Sequence, residues 1–418
     1  MTMRTAPAEQ PAPPPNGCPF DPPPLADLLE QGEPHAAFGA LRTERPISRV
    51  ALPDGSWAWL VTRYHDIRAV LGDTRFSSDT TVHGYPVSGM TGGAPHANRG
   101  FIRRDPPEHT RLRRMVTREF MVKRVEALRP EIQRITDELC DAMERTEGRE
   151  RGGVDLVEAL ALPVPSRVIS LLLGVPYEDH DTFQRLTATL LSRTVPDDER
   201  AVARSELHDY LDRLVTAKEA APGEDIFGRL IVEQQRTGGI SHDEVAAFAS
   251  LLLIAGHETT ANMIGLSALT LMRAPEAAER LRREPALIRA AVEELLRFHS
   301  IIRNGPRRVA TADVEIAGHL IRAGEGVLVA VASGNHDEDV FADAGRLAIA
   351  SPNSQHHVAF GYGIHQCLGQ ALARAELQIV LGTLLRRFPT LRPAVPVEEI
   401  PFRTDMAIYG CHALPVTW

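Results

Sequence analysis

Hydrophobic residues recur at helical spacing through the middle of the chain. Between about residue 120 and residue 300, apolar side chains return every three or four positions, which predicts a series of amphipathic helices. Prolines and glycine pairs interrupt this pattern. The breaks lie at Pro163-Val164-Pro165, Pro196, Pro222-Gly223, Gly238-Gly239, Pro275 and Pro285. The spacing predicts about seven consecutive helices, and a final long helix is predicted from near Cys367 to Phe388.

Two shorter stretches follow the period of a β-strand. Ser48–Val61 alternates apolar and polar residues around Asp54-Gly55, which predicts a hairpin. Val314–Val331 carries β-branched runs between glycines, which predicts a second small sheet. Ser77–Gly100 has no periodicity and is predicted to be a long functional loop. The whole pattern predicts a mainly α fold with minor β structure, a helix-rich single domain with two small sheets.

Composition and charge exclude several classes of protein. Hydrophobic residues make up 43% and charged residues 24% of the 418 residues, which is ordinary for a globular chain. The formal charge of −9 argues against a general nucleic-acid binder, because phosphate binding needs a basic field. The longest apolar stretch, Ala246–Gly256, is far too short to cross a bilayer. Four cysteines without a CxxC pair favour neither a disulfide scaffold nor a zinc site, so we expect a cytoplasmic protein.

The sharpest chemical signal is a glycine-rich turn, Phe360 to Gly369, that leads into the last helix. Gly361 and Gly363 permit backbone geometry that other residues rarely adopt. Cys367 would then lie at a helix start, where free N–H groups and the helix dipole favour a thiolate. Such a sulfur, shielded by Phe360, is suited to ligate iron. A lone cysteine in this position more often has no chemical role, but the arrangement of all ten residues favours a ligand.

This turn, written F-G-x-G-x-H-x-C-x-G, resembles the haem-ligand loop of bacterial cytochromes P450 and matches all six of its fixed positions. The resemblance implies that Cys367 is the axial thiolate ligand of the haem iron. It also implies that His365 lies near a haem propionate and that Phe360 and Gly361 contact the cofactor. A thiolate ligand donates electron density that favours O–O cleavage.

A second candidate site lies in the most apolar helix, where residues 252–260 read L-L-I-A-G-H-E-T-T. At about 100° per residue, one face contains Leu252, Ala255, Gly256, Thr259 and Met263. An acid and an alcohol beside small residues suit proton delivery to bound dioxygen. Taken alone, the stretch could equally be a core helix with a solvated glutamate. It resembles the family's A-G-x-[DE]-T motif, which implies that Glu258 and Thr259 form a catalytic proton relay. Ala255 and Gly256 would then lie against the haem.

Haem propionates need cationic partners, and arginine suits carboxylates best. By family position, the resemblance assigns this role to residues on three segments. They are His109 and Arg113 on a basic helix that begins near Asp105, Arg308 beside Arg307, and His357 just before the cysteine turn. From the sequence alone these could instead be solvated surface residues, and the choice of Arg308 over Arg307 could be wrong by one position.

Glu294 and Arg297 are three residues apart and share a helix face. Alone such a pair means little, since surface pairs stabilise by only roughly a few tenths of a kcal/mol. In the family, E-x-x-R forms a structural core pair, so the resemblance implies a role in the fold. Where many relatives have an acid and an arginine before the cysteine turn, this chain has Ala348 and Ser351, which puts a secondary structural tie in doubt.

The substrate pocket is expected above the haem, where the loop 77–100, the apolar helix, the stretch after E-x-x-R and a turn near residue 408 converge. Most of their side chains are apolar, so the ligand should be apolar too. The expected lining residues are Leu252, Ala255, Ile301, Ile302, Asn304 and Ile408. Arg303, Asn304 and Tyr409 are candidate polar anchors, and the sequence does not say which of them faces inward.

The resemblance extends from Cys18-Pro19-Phe20 to Leu414-Pro415-Val416 and is closest to soluble actinomycete members. It implies a Pro-rich N-terminal arm over residues 1–25 and a cytochrome P450 catalytic domain over residues 26–418. It also implies haem b and a monooxygenase that inserts one atom of O2 into a hydrophobic substrate by hydroxylation or epoxidation. The expected substrate is a polyketide, macrolide, other secondary metabolite or foreign compound.

Electrons are expected from NAD(P)H through an external ferredoxin reductase and ferredoxin. Arg111, Arg114 and Arg118 could dock an acidic ferredoxin, or could simply form a solvated helix face. We expect a cytoplasmic monomer that binds neither nucleic acid nor membrane. Two alternatives are a haem-binding recruitment module without turnover and a non-haem cysteine hydrolase. The presence of Glu258 and Thr259 argues against the first, and the lack of an oxyanion or triad signature argues against the second.

Overall fold

The computed structural model describes residues 36–52, 55–86, 100–146, 153–302 and 305–418. Within these ranges the chain forms thirteen α-helices. They are α1 (Ala36–Glu44), α2 (Tyr64–Gly72), α3 (Glu108–Thr117), α4 (Val122–Arg145), α5 (Pro163–Leu173), α6 (His180–Leu191), α7 (Asp197–Ala220), α8 (Ile226–Leu230), α9 (His242–Arg273), α10 (Pro275–Arg283), α11 (Ile288–His299), α12 (Val331–Gly334) and α13 (Gln370–Arg387).

Some predictions concern parts of the chain outside the described residues. These parts are the N-terminal arm, Asp54 of the hairpin turn, residues 87–99 of the long loop, and Arg303 and Asn304. The arm, the remainder of the loop and the pocket role of Asn304 therefore stay predictions.

The predicted breaks fall at or beside helix boundaries. Pro163 and Pro275 are the first residues of α5 and α10, where the missing N–H has no helical partner to lose. Pro196 directly precedes α7, and Pro222-Gly223 separates α7 from α8. The stretch predicted as about seven helices holds eight, α4 to α11, among the described residues. The difference is the five-residue α8, which is too short to show a period of its own.

The described residues contain ten short strands in three sheets. They are β1 (Ile47–Ala51), β2 (Trp57–Val61), β3 (Phe76–Ser77), β4 (Val154–Asp155), β5 (Arg307–Ala310), β6 (Val314–Ile316), β7 (His319–Ile321), β8 (Gly326–Val329), β9 (Arg392–Pro393) and β10 (Pro415–Thr417). The largest sheet has the order β1-β2-β8-β5-β3, and the others are β4-β10-β9 and β6-β7.

The minor β structure is confirmed, but its strands are arranged differently from the prediction. The hairpin β1-β2 pairs in parallel with β8, so that Trp59 lies opposite Val327. Strands of both predicted regions therefore share the five-stranded sheet, and β6-β7 forms a separate local hairpin. The sheet β4-β10-β9 is a third one, where the sequence predicted two. Pairing between strands so distant in sequence leaves no local signal in the hydrophobic pattern.

Helix α9 runs through the largest hydrophobic core and carries the second candidate site. Its start is a capping box, in which the Ser241 hydroxyl accepts the Glu244 N–H at 3.2 Å and the Glu244 carboxylate accepts the Ser241 N–H at 3.0 Å. Helices α5, α7 and α13 pack against it. Although α9 has 32 residues, no helix of the described ranges is both long and apolar enough to cross a membrane.

Candidate functional site

The cysteine turn is held in a closed shape by glycine geometry and one backbone bond. Gly361 and Gly363 have φ of 72° and 74°, which favours glycine. A Cβ on Gly363 would lie 2.3 Å from the Leu71 carbonyl oxygen, so this turn packs directly against the end of α2. The N–H of Cys367 donates to the Phe360 carbonyl at 2.8 Å. Cys367 thus lies three residues before α13 begins at Gln370.

The surroundings of the Cys367 thiol act on its pKa in opposite directions. The residue keeps accessible surface but lies deep among protein atoms, and this burial raises the pKa of the thiol. The N–H of Gly369 and the charges of Arg113 and Arg374 lower the pKa, but burial outweighs them. The contribution predicted from the helix start is therefore present, but it is smaller than the opposing effect of burial. A bound metal cation, by contrast, deprotonates a coordinating thiol outright.

Phe360 and His357 lie beside a buried ion pair next to this turn. The Arg374 guanidinium lies 4.6 Å from the centre of the Phe360 ring and donates to both Glu293 carboxylate oxygens, at 2.7 and 2.8 Å. The Nε2 atom of His357 lies 3.3 Å from the same carboxylate. Burial alone would raise the pKa of Glu293, but the contacts with His357 and Arg374 lower it to about 2. His357, predicted to bind a propionate, lies within ion-pair distance of Glu293, but its buried Nε2 atom has no hydrogen-bond partner among the described residues, so the propionate role stays a prediction.

The other predicted propionate partners come together as one basic cluster, which we define as His109, Arg113, Arg308 and His365. The ring centres of His109 and His365 are 4.2 Å apart. Burial, together with the charges of Arg308, His109 and Arg113, lowers the pKa of His365 to about 3. Arg113 joins the cluster to the cysteine turn, because its Nη2 atom donates to the Gln366 carbonyl at 2.6 Å.

The basic cluster has polar atoms that the protein itself leaves unused. Both ring nitrogens of His109 and the Nδ1 atom of His365 are buried without a hydrogen-bond partner among the described residues. Arg308 is buried and donates to the Arg307 carbonyl at 2.7 Å, and within the described ranges no carboxylate lies within ion-pair distance of Arg113 or Arg308. Buried groups of this kind are costly unless something pairs with them. Two carboxylates of a ligand would satisfy them, so the residues fit a haem with its two propionates.

On helix α9, the predicted small-residue face is the accessible one. Ala255 is exposed and Thr259 is partly exposed, although most of the helix is buried. The Thr259 hydroxyl donates to the Ala255 carbonyl at 2.8 Å, which is the local bond expected of a mid-helix threonine. A Cβ on Gly256 would lie 2.7 Å from the Cδ1 atom of Ile169, so glycine allows α5 to pack closely here.

Glu258 points into the protein rather than to the accessible face of α9. It is buried and accepts a hydrogen bond at 2.7 Å from the Nη1 atom of Arg403, a residue that the sequence analysis missed. The two residues are 145 positions apart, so no local motif links them. A solvated glutamate, one of the two open interpretations of this stretch, is thus not what the structure shows.

The Glu294–Arg297 pair is a buried structural tie. Arg297 donates to both carboxylate oxygens of Glu294, at 2.7 and 2.9 Å, and both side chains are almost fully buried. Its remaining N–H groups donate to main-chain carbonyls of Asn335 and Ala344, both at 2.8 Å, and of Arg346 at 3.3 Å. The pair thus joins α11 to the segment that leads towards the cysteine turn.

Although Ala348 and Ser351 stand where many relatives have an acid and an arginine, the contacts of the Glu294–Arg297 pair are complete. The N–H of Ala348 donates to Glu294 at 2.9 Å, and the hydroxyl of Ser354 donates to the same carboxylate at 2.5 Å. A main-chain group and a serine three residues further along therefore complete the contacts.

Of the predicted pocket residues, the apolar ones lie near one another. Ile302 and Ile408 form an isolated β-bridge, and the Ile301 carbonyl accepts the Tyr409 N–H at 2.9 Å. Ile301 and Leu252 are buried in the same hydrophobic core. The ring of Tyr409 is buried and stacks on Phe402, with ring centres 6.0 Å apart, and its role as a polar anchor stays a prediction.

Two of the three arginines predicted to dock a ferredoxin form ion pairs within the protein. Arg111 binds Glu244 and the Gly239 carbonyl, and Arg118 binds Glu233 at 2.9 Å. Arg114 is exposed and forms no ion pair within the described part of the chain. The positive patch of this helix is therefore smaller than its sequence indicates.

The chain matches known proteins along most of its length. The family model described as Cytochrome P450 matches residues 25–408. Cytochrome P450-SU2 of Streptomyces griseolus is 52% identical over 422 residues, which cover 99% of this chain and 99% of that protein. Pentalenic acid synthase of Streptomyces avermitilis is 48% identical over 402 residues, which cover 96% of this chain and 95% of that protein.

A solved structure gives the same picture for the fold. The crystal structure of mycinamicin VIII C21 methyl hydroxylase from Micromonospora griseorubida, bound to mycinamicin VIII, superposes with a TM-score of 0.86. The two sequences are 43% identical, and the match covers 92% of this chain and 96% of that chain.

Proposed function

The chain belongs to the cytochrome P450 family and is a monooxygenase that uses haem iron, and from this premise we propose that Cys367 is the axial ligand of the iron. The observation that carries the proposal is the basic cluster, whose buried unpaired nitrogens adjoin the cysteine turn. The bound haem b supplies the activation of dioxygen, helped by electron donation from the thiolate.

Different residues would contact different parts of the cofactor. Arg113, Arg308, His109 and His365 would bind the propionates through charge-assisted hydrogen bonds. Phe360 and Gly361 would pack beside the sulfur and keep water from it. His357, whose buried Nε2 atom has no hydrogen-bond partner among the described residues, would donate to a propionate beside Glu293. Ala255 would provide the small, exposed surface of α9 that a flat ring requires, and Gly256 next to it packs against Ile169 of α5.

The proton chemistry belongs to α9. Thr259 would hold a proton at Oγ1 on the accessible face of the helix, beside Ala255. Glu258 would resupply that proton from the protein interior, because a carboxyl is the only titratable group next to this hydroxyl in sequence. Both groups are present, which favours turnover over a recruitment module that only binds haem.

The substrate is proposed to be a hydrophobic secondary metabolite such as a macrolide or another polyketide. The apolar residues Leu252, Ile301, Ile302 and Ile408 support an apolar ligand, and Asn304 remains a predicted contact. Relatives include a mycinamicin hydroxylase and a pentalenic acid synthase, which act on natural products. Hydroxylation of a C–H bond is the proposed reaction, with epoxidation as a variant on an unsaturated substrate and foreign compounds as further candidates.

Electrons are proposed to come from NAD(P)H through a ferredoxin reductase and a ferredoxin in the cytoplasm, with the enzyme acting as a monomer. Exposed Arg114 supports an acidic partner on the α3 side. The paired residues Arg111 and Arg118 would contribute less, since their charges are already balanced by glutamates.

The experiment that tests the site is the spectrum of the reduced protein under carbon monoxide. The wild type should give the red-shifted Soret band of a thiolate ligand, and Cys367→Ser should lose it. Cys411→Ala is the matched control, because Cys411 is a buried free cysteine outside the turn, and this variant should keep the band. A red-shifted band that survives Cys367→Ser would assign the ligand to another residue. Titration of the wild type with macrolides would then narrow the substrate class.

A further inference from the structure

His242, the first residue of α9, lies between two carboxylates of α7. Its Nδ1 atom is 2.9 Å from an oxygen of Glu219, and its Nε2 atom is 2.9 Å from an oxygen of Asp212. Asp212 and Glu219 are about two helical turns apart, so they share one face of α7. The imidazole therefore bridges α7 and α9 through both of its nitrogens.

The two contacts together require a positively charged ring. An ionised carboxylate only accepts hydrogen bonds, whereas a neutral imidazole has one donor nitrogen and one acceptor nitrogen. A neutral His242 could donate to Asp212 or to Glu219, but its other nitrogen would then face an oxygen lone pair. The doubly protonated imidazolium can donate to both carboxylates at the distances observed.

The pKa of His242 agrees with this geometry. Partial burial lowers the pKa, but the hydrogen bonds with Glu219 and Asp212 raise it above its ordinary value of 6.5. These two carboxylates are the titratable groups with the largest effect on the ring. Because the pKa is raised in the folded protein, the stabilisation from the bridge is complete below pH 6.5 and is lost as the pH rises through the folded-state pKa.

The helices on the two sides of the bridge are each fixed to other parts of the protein. On the α9 side, Arg111 of α3 pairs with Glu244 and donates to the Gly239 carbonyl at 2.8 Å. On the α7 side, Lys218 donates to Asp225 at 2.6 Å, and Asp225 caps the start of α8. These charged groups are therefore engaged away from the imidazole.

The main-chain connection between these two sides is loosely packed. The turn after α8 is joined to α7, since Gln235 donates to Glu219. Gly238 and Gly239 then lead to α9, and Gly238 has a φ of 76°. Among the described residues, a Cβ on Gly238 would have no neighbour within 4 Å. His242 therefore supplies a side-chain bond where the connection itself gives little support.

The start of α7 is attached by main-chain bonds on the pocket side. Just before the helix, Ser192 forms a β-bridge with Met406, and the Arg193 N–H donates to the Asp405 carbonyl at 2.7 Å. Two residues after Met406 lies Ile408, one of the predicted pocket residues. Main-chain amides do not titrate near neutral pH. Helix α7 thus has a permanent attachment at its start and a pH-dependent attachment at its end.

We propose that His242, Asp212 and Glu219 form a pH-sensitive clamp, which holds the end of α7 against the start of α9 while the ring is protonated and releases it as the pH rises. After release, the neutral ring donates to one carboxylate and the other turns to solvent. Helix α7 then pivots about its fixed start, which displaces the segment beside Ile408. The clamp does not depend on the haem chemistry, whereas its effect on the pocket rests on the proposed function.

The test measures hydrogen exchange of the haem-loaded enzyme at pH 6 and pH 8.5, with each rate divided by the chemical exchange rate at the same pH. Between these values, amides 213–220 and 243–248 of the wild type should lose protection by about tenfold, roughly the effect of one hydrogen bond to a charged group. His242→Arg keeps a permanent charge with several donors and should stay protected at both pH values. His242→Gln should be weakly protected at both.

A matched control uses a histidine that joins no helices. His180 lies 3.2 Å from the carboxylate of the adjacent residue Asp181 and is exposed to a similar extent as His242. His180→Gln should leave the pH dependence of α7 and α9 unchanged. A loss of protection at high pH that persists in His242→Gln would assign the change to other groups and overturn the clamp.

A second measurement tests the charge of the ring directly. In NMR spectra of protein with ¹³C-labelled histidine, the His242 signal is the one that His242→Gln lacks. Its pKa should lie above 6.5 in the wild type and should fall in the double variant Asp212→Asn/Glu219→Gln. A wild-type pKa at or below 6.5, or one that the double variant leaves unchanged, would overturn the clamp even if His242→Arg did not fold.

The effect on the pocket is measured with phenylimidazole, a hydrophobic azole that ligates haem iron. Its association should be a few-fold slower in His242→Arg than in His242→Gln, and comparison at a single pH removes the titration of the probe. Equal association rates combined with different protection would overturn the effect on the pocket and support the clamp. Failure of the proposed haem site would instead appear in the carbon monoxide spectrum of the wild type.

Discussion

In the Glu294–Arg297 pair, every charged nitrogen and oxygen has a partner inside the protein, whereas in the basic cluster several buried nitrogens have none among the described residues. Both groups are buried, and both combine arginine with other polar side chains. A saturated pair stabilises a fold because nothing more is needed to complete it. An unsaturated cluster of like charges costs free energy until an anion arrives. The comparison indicates that the basic cluster, where arginine charges lie beside histidine nitrogens without partners among the described residues, suits an anionic ligand.

Breaking the saturated pair should have the largest effect. Glu294→Gln leaves Arg297 buried with an unpaired charge, and removal of one partner of a buried pair costs about 3–5 kcal/mol. We expect little folded protein at 37 °C, measured by soluble yield and thermal unfolding. Glu279→Gln, which breaks an exposed pair with Arg282 and Arg283, should leave both measurements almost unchanged. Equal losses of soluble yield and thermal stability in Glu294→Gln and Glu279→Gln would contradict the expected difference between a buried pair and an exposed one.

Weakening the unsaturated cluster should affect the ligand rather than the fold. Arg308→Gln should weaken haem retention by about 1.5–3 kcal/mol, the value of a hydrogen bond to a charged group. The haem-free protein should be as stable as the wild type or more so, because one of several neighbouring positive charges is gone. Haem transfer to an acceptor protein and unfolding of the haem-free form measure the two effects. Arg307→Gln is the control and should retain haem, and a haem-free form destabilised by Arg308→Gln would contradict the comparison.

A histidine near the saturated pair should give that region a pH dependence. Burial lowers the pKa of His299 to about 3, so the folded state resists its protonation while the unfolded state does not. Its contribution to stability is therefore complete above pH 6.5 and is lost as the pH falls towards 3. The loss should reach up to ~1.4 kcal/mol for each pH unit in this window. Denaturant unfolding at pH 7 and pH 5.5 should show a smaller decline for His299→Gln, and an identical decline would assign the dependence to other groups.

The smallest effect concerns charges at the surface. Arg114 forms no ion pair with the described residues, whereas Arg111 is bound to Glu244, so the same distinction applies outside the core. Arg114→Gln should slow electron delivery from an acidic ferredoxin a few-fold at low ionic strength, and Arg111→Gln should slow it less. Reduction kinetics at two salt concentrations measure this. If Arg111→Gln slowed electron delivery more than Arg114→Gln, the ferredoxin would dock on arginines that already form ion pairs within the protein.

The sequence predicts the parts of the molecule that depend on neighbouring residues. The glycines of the cysteine turn, the small residues of α9 and the helix breaks at Pro163 and Pro275 are local signals, and the structure agrees with them. The joining of the hairpin to β8 depends on strands about 270 residues apart, so periodicity could not predict it.

Long-range side-chain contacts were also beyond the sequence. Arg403 belongs to no motif. Its charge pairs with Glu258 only because the loop of residues 402–411 packs against α9. The short distance between His357 and Glu293 depends in the same way on how α11 packs beside the cysteine turn. The effect of burial on the pKa of Cys367 could not be predicted, because burial, unlike helix position, cannot be read from ten residues.

The contacts of Arg297 have a consequence for how this protein can change over time. Its partners beyond Glu294 are main-chain carbonyls of Asn335, Ala344 and Arg346, which every amino acid supplies. A substitution at those positions that preserves the path of the backbone leaves the acceptors in place. Exposed positions of the segment can therefore accumulate mutations while the tie persists. Libraries that randomise Arg346 should recover many folded variants, whereas Ala344, which is buried in the core, should accept few side chains. Deletions in this segment should be tolerated poorly, because they displace the main-chain carbonyls that accept hydrogen bonds from Arg297.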